Sequence, residues 1–250
     1  MEKKNKKIIG VICSSIFLFN FIGCNKNEKN ALEYLNNKYG EEFELDGTIS
    51  TLSGGDEFHL SKVKGTNAWP KNNPEEIFML NLCENGEFVD DYQMITMKPY
   101  VDEYLTNMAR EYWSDAAVSA KIVYGSLNEK YDVNYCEKYL ADSKILTYYN
   151  IYLTYSNNFD IDIESKKIYD ICSRLRELEI DNRILVTYLN KEFINEEVQE
   201  EGYWKACKSE GTIVRFFDES FNKDIPEKNK EIKLEDVKIK LEENRLETKE

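Results

Sequence analysis

Histidine is almost missing from this 250-residue chain, and with only His59 present a zinc site built on two histidines is excluded. A Ser/His/Asp or Cys/His nucleophile would need His59 as its base, yet no G-x-S-x-G elbow accompanies it. Its place between Phe58 and Leu60, in a strand-like alternation, reads as a solvent-facing side chain. Positive charge is also short: 33 lysines and arginines face 47 acids, a net charge of −14. Such an excess of carboxylates repels phosphates, which disfavours nucleic acid as a partner and disfavours a polybasic membrane patch. Long apolar runs are lacking as well. Ile8 to Gly23 holds about sixteen apolar or small residues, short of the ~20 that span a bilayer as a helix. No tandem repeat of fixed period occurs.

What the chain does have is a processing signal. Lys3, Lys4, Lys6 and Lys7 precede that short apolar stretch, which closes Phe21-Ile22-Gly23-Cys24. A positive head, a short apolar core and a small residue before the cut make a secretory signal, not part of the fold. The closing tetrapeptide resembles the lipobox of bacterial prolipoproteins, with Phe21 where that family usually has leucine. The resemblance implies diacylation of the Cys24 thiol, cleavage before it, and a membrane partner reached through the lipid. Two acyl chains hold a protein stably where one does not. Removing residues 1–23, of net charge +3, leaves 227 residues at −17. The plentiful lysine, glutamate, asparagine, isoleucine and tyrosine, with only four prolines, resemble proteins of AT-rich Gram-positive bacteria. That bias weakens any functional reading of the 17 tyrosines.

The mature chain is expected to be α+β: two small sheet-and-helix units. Residues 24–30 read as a polar tether, 31–114 as an N-terminal α+β unit, 115–222 as a C-terminal unit of alternating strands and helices, and 223–250 as a charged tail or edge strand. In the first unit, Leu32, Leu35 and Tyr39 mark a helix over 30–39 that stops at Gly40. Phe43, Leu45 and Ile49 alternate like one strand, and Ser53-Gly54-Gly55-Asp56 reads as a hairpin turn. Ile77–Leu82 is a strand turning through Glu84-Asn85-Gly86, and Pro99 opens a helix bearing Val101, Leu105, Met108 and Tyr112. In the second unit, strands are expected at 120–124, 146–155, 183–189 and 212–217, with helices near 135–140, 166–178 and 196–205. Ser165 is the expected cap of the middle helix, whose buried stripe is Ile168, Ile171, Cys172, Leu175 and Leu178. Val237, Ile239 and Leu241 alternate with Lys238 and Lys240, hence the edge-strand alternative for the tail. The segments 34–43, 69–78 and 166–189 resemble uncharacterised lipoproteins and exported proteins of Firmicutes, a likeness that brings no activity with it.

Four cysteines stay in the mature body: Cys83, Cys136, Cys172 and Cys207. Their spacings of 53, 36 and 35 residues contain no C-x-x-C and fit no metal site. An exported chain permits two disulfides in three pairings. Cys136 and Cys172 fall on apolar helix faces, where a thiol packs as a small hydrophobe, so buried thiols are expected.

Candidate chemistry is thin. Gly54-Gly55-Asp56-Glu57-Phe58 spells the signature of diguanylate cyclases, but Leu52 stands where that family has arginine. The family's upstream metal-binding strand would fall inside the signal, so a two-glycine hairpin accounts for the letters. Asp90-Asp91 and Asp160-x-Asp162-x-Glu164 supply hard oxygen ligands suited to calcium, but the second set lacks the central glycine and distal glutamate of an EF-hand. Trp69, Trp113 and Trp204, with Tyr148, Tyr149, Tyr152 and Tyr155, suggest either an aromatic face for glycans or peptides or simply core. Lipidation at Cys24 is therefore the one site assigned, with no catalytic, cofactor or metal residue. The expected function is that of a binding or accessory lipoprotein on the outer face of the cytoplasmic membrane, with an unknown protein or cell-wall ligand. The alternative is a cell-wall-acting extracytoplasmic enzyme that uses carboxylates.

Overall fold

The computed structural model describes residues 26–47, 49–51, 64–142, 144–156, 158–180, 183–189, 212–218 and 232–244. Cys24, the Gly54–Phe58 letters, His59, Trp204, Cys207 and the expected helix at 196–205 lie outside them.

The chain is α+β, and the described residues form two sheets. Helix α1 (Lys26–Tyr39) buries Ala31 and Leu35, and Gly40 ends it at φ 78°, its N–H closing on the Asn36 carbonyl. That left-handed turn favours glycine. Strands β1 (Phe43–Leu45), β2 (Ser50–Thr51), β3 (Lys64–Pro70), β4 (Phe78–Leu82) and β5 (Phe88–Asp90) follow. They form an antiparallel sheet in the order β1-β3-β4-β5, with β2 also on β3. The single strand expected over 43–49 is broken instead, because Gly47 takes φ 73° between the two short strands. The core of this unit is Ala31, Leu35, Phe43, Ile49, Ala68, Phe78, Leu80 and Tyr92.

After α2 (Tyr92–Thr96) and α3 (Lys98–Arg110) come β6 (Ala117–Tyr124), a 3-10 turn at Val133–Tyr135, α4 (Cys136–Ala141), β7 (Leu146–Thr154), α5 (Ile161–Glu177), β8 (Arg183–Leu189), β9 (Thr212–Asp218) and α6 (Leu234–Glu243). The second sheet runs β6-β7-β8-β9, and only β7 and β8 are parallel. A parallel step needs a crossover, and α5 supplies it. Ile168, Ile171, Cys172 and Leu175 of α5 are at most 2% exposed, the burial of each isoleucine or leucine stabilising by about 1.5–3 kcal/mol.

Three boundaries differ from the sequence reading. The helix expected from residue 30 begins at Lys26, so 24–30 is not a tether throughout. The two cores divide between Tyr92 and Met97, not at 115, because Val101, Leu105 and Met108 of α3 pack into the second core. There α3 also guards an exposed sheet edge: Asp102 Oδ1 accepts the Ala120 N–H at 2.6 Å and Thr106 Oγ1 the Val118 N–H at 3.1 Å. Lastly, 234–243 is a helix, neither tail nor strand, with Val237 and Leu241 buried one turn apart and Ile239 at 42% exposure.

Candidate functional site

The three acids near residue 160 do not converge on one point. Asp160 caps α5, its Oδ1 accepting from Asp162 N at 2.9 Å and Ile163 N at 3.1 Å. Ser165, the expected cap, sits inside the helix and donates to the Ile161 carbonyl. Asp162 pairs with Lys238 at 2.6 Å, which pins α6 to the first turn of α5. Glu164 turns inward. Its Oε2 accepts from Trp113 Nε1 at 2.6 Å and the Tyr188 hydroxyl at 2.7 Å, and its Oε1 from Lys167 at 2.8 Å. Burial, then the Glu164 charge, pushes the Tyr188 hydroxyl well above the ordinary tyrosine value, so it remains a donor. Among the described residues no cluster of three or more His, Cys, Asp or Glu side chains is placed to hold a metal.

Aromatic rings continue outward from this carboxylate. Phe159 meets the Tyr188 ring edge-on at 4.9 Å and stacks on Tyr155 at 5.4 Å, so its orientation is fixed from two sides. Beside it, between the start of α5 and the end of α6, lies an open groove of ≈ 530 Å³ lined by Phe159, Asp160, Ile161 and Glu242. Two carboxylates beside a held aromatic ring suit a cationic group, which gains from their charge.

The other acidic pair has a different fate. Asp90 is wholly buried, and four donors converge on it: Lys38 at 2.7 Å and the Tyr34 hydroxyl at 2.8 Å on Oδ2, the Tyr39 hydroxyl at 2.6 Å and the Tyr92 N–H at 3.1 Å on Oδ1. Lys38 also donates to the Leu127 carbonyl at 2.6 Å, and Asp90 and Leu127 exchange backbone hydrogen bonds. This network therefore ties α1 and the first sheet to the second unit. Gln93 adds a second tie, its amide pairing both ways with the Tyr131 backbone at 3.0 Å. Burial lowers the Lys38 pKa and outweighs the opposing attraction of Asp90. Asp91 instead accepts the Met79 N–H at 2.6 Å, and burial raises its pKa, with Asp90 adding to the shift.

The expected aromatic face is divided. Trp69 bonds Glu44 at the surface of the first sheet, Trp113 and Tyr155 join the Glu164 cluster, Tyr149 and Tyr152 are buried, and Tyr148 lies under Arg183. Phe159, Tyr188 and Glu242 were not singled out by sequence. The only signal for Phe159 was its place one residue before a helix cap. Cys83, Cys136 and Cys172 form no disulfide. Cys136 and Cys172 are buried as expected, whereas Cys83 is half-buried.

No family model matches the chain, and no curated protein matches it. A solved structure described as a DUF5037 family protein from Ruminococcus gnavus ATCC 29149 is similar over 86% of this chain and 98% of that one, at 15% identity and a TM-score of 0.40. A likeness at that level carries no argument about this chain.

Proposed function

We propose that this chain is a lipoprotein of the outer face of the cytoplasmic membrane, diacylated at Cys24, whose folded body binds a partner and does no chemistry on it. The observation that carries the anchored reading is the sequence itself: the lysine head, the short apolar run and the Gly23-Cys24 junction. No helix among the described residues is long and apolar enough to cross a membrane. Support for binding comes from the groove between α5 and α6, which offers a fixed ring and two carboxylates. A cationic side chain or amine of a protein or cell-wall ligand is the chemistry that groove fits, in keeping with a net charge of −17 on the mature chain.

The same groove supports a second reading, a cell-wall enzyme using carboxylates, since Asp160 and Glu242 both line it. Both residues are exposed, however, and Asp160 is already engaged as a cap. A general acid needs a carboxyl desolvated enough to stay protonated near neutral pH. Glu164, the better-buried acid, already accepts from three donors. Binding is the better fit.

Metabolic labelling with a radioactive fatty acid tests the anchor. Wild type should take up label and a Cys24→Ala variant none; label retained by that variant contradicts the reading. Incubation with purified cell wall tests the rest. Retention without release of soluble fragments is expected, and fragments lost in Glu242→Gln would favour the enzyme.

A further inference from the structure

We propose that the lipid anchor works as a rigid stalk, which holds the body close to the bilayer with one defined end facing the headgroups. The proposal rests on the lipidated reading of Cys24. Only Asn25 separates that cysteine from the first residue of α1, Lys26, and two peptide steps reach about 7 Å at most. The 14 residues of α1 then rise about 21 Å. This helix cannot swing freely. Ala31 and Leu35 are fully buried against the first sheet, and Tyr34, Lys38 and Tyr39 along its second half all bond Asp90.

The contacts also give the body a polarity. The chain leaves α1 at Tyr39 and enters β1 at Phe43, whose ring packs on Tyr39, so the Phe43 end of the sheet lies by the last turn of the helix, while Phe88 stacks on Tyr34, further back along it. Phe88 pairs with Leu82, and Leu82 with Lys64. The Cys83–Glu87 hairpin therefore lies toward the start of α1, the bilayer end. At the other end, Tyr39 packs on Phe43, Phe43 pairs with Pro70, and Lys71 bonds Glu42 on the surface. The seven residues of β3 span these two ends, about 20 Å apart. Exposed Lys26 and Lys29 lie in the first turn of α1, and a cation beside an anionic surface is worth about 1 kcal/mol.

Energy transfer on vesicles reads this orientation. The acylated chain, with Cys207→Ser, is bound to phosphatidylglycerol–phosphatidylcholine vesicles carrying a headgroup acceptor dye. A donor dye is placed on native Cys83, or on Lys71→Cys in a Cys83→Ser background. Transfer from position 83 should exceed that from position 71 severalfold, and twenty Gly/Ser residues inserted between Asn25 and Lys26 should make the two equal. Equal transfer from the two positions without the insertion, in protein that co-floats with the vesicles, overturns the stalk and leaves the anchor standing. An acylated chain that stays out of the vesicle fraction overturns the anchored reading and the stalk with it.

Discussion

Asp90→Asn should be among the most damaging single changes in the described fold. The carboxylate is wholly buried and its partner Lys38 has a side chain only 5% exposed. Four donors point at its two oxygens. An amide keeps one acceptor, enough for Tyr39 and the Tyr92 N–H, but its NH₂ group would then face the Lys38 ammonium donor to donor, while the Tyr34 hydroxyl can turn to donate to the Leu127 carbonyl. Lys38 would remain as a buried cation with only the Leu127 carbonyl and the Tyr34 oxygen for company. Removing one partner of a buried ion pair costs about 3–5 kcal/mol. For a chain of this size that corresponds to a fall in melting temperature of roughly 6–20 °C. Urea unfolding of the mature chain measures it, and a double-mutant cycle with Lys38→Met apportions it. Because Lys38→Met removes the stranded cation, the double variant should be more stable than the sum of the two single losses predicts. A loss below about 1 kcal/mol for Asp90→Asn, or additivity within the cycle, would refute the claim that this pair ties the two units together.

Three further outcomes follow from particular side chains. Asp91 has a folded pKa raised above the ordinary carboxylate value, so the folded chain holds its proton more tightly than the unfolded chain does. Stability should then fall as pH rises from about 4 through that raised value, and Asp91→Asn, which keeps an acceptor for Met79 N–H, should flatten this slope in urea titrations without loss at neutral pH. A maleimide should label Cys83 in the native protein but reach Cys136 and Cys172 only after denaturation, as peptide mapping would show. Glu179 ends α5 at φ 56°, a left-handed conformation that disfavours a side chain. Glu179→Gly should therefore raise the unfolding free energy by about 0.5–1 kcal/mol, the left-handed penalty exceeding the entropy cost of glycine; a loss would show that the side chain contributes more than its strain.

Elements whose signal is local were legible in the sequence. The strand expected at 183–189 has those bounds, and the stripe of α5 is buried as its spacing indicated. Boundaries set by competition were not. Asp160 and Ser165 are both capping residues, and only the packing of Ile161 decides for the earlier one. Val237, Ile239 and Leu241 satisfy a strand's period of two, while Val237 and Leu241 alone satisfy a helix; exposure of Ile239 is what separates the two readings. The stripe on α3 says that one face is apolar but not which sheet covers it, so the division at 115 could not be corrected without tertiary contacts. The polar networks were illegible for a related reason. Lys38 is 52 residues from Asp90, and Glu164 is 51 from Trp113. Nothing in a lone acid reveals whether such distant donors will saturate it. The expectation at Cys24 rests on a linear pattern, the lysine head, the short apolar run and Gly23-Cys24, which is read without any tertiary contact.

The intact mass of the protein recovered from the membrane fraction tests the central claim most directly. The account predicts a chain whose first residue is Cys24, heavier than the unmodified sequence 24–250 by a thioether-linked diacylglyceryl group. A chain that keeps residues 1–23, or one that starts elsewhere and carries no lipid, would contradict it.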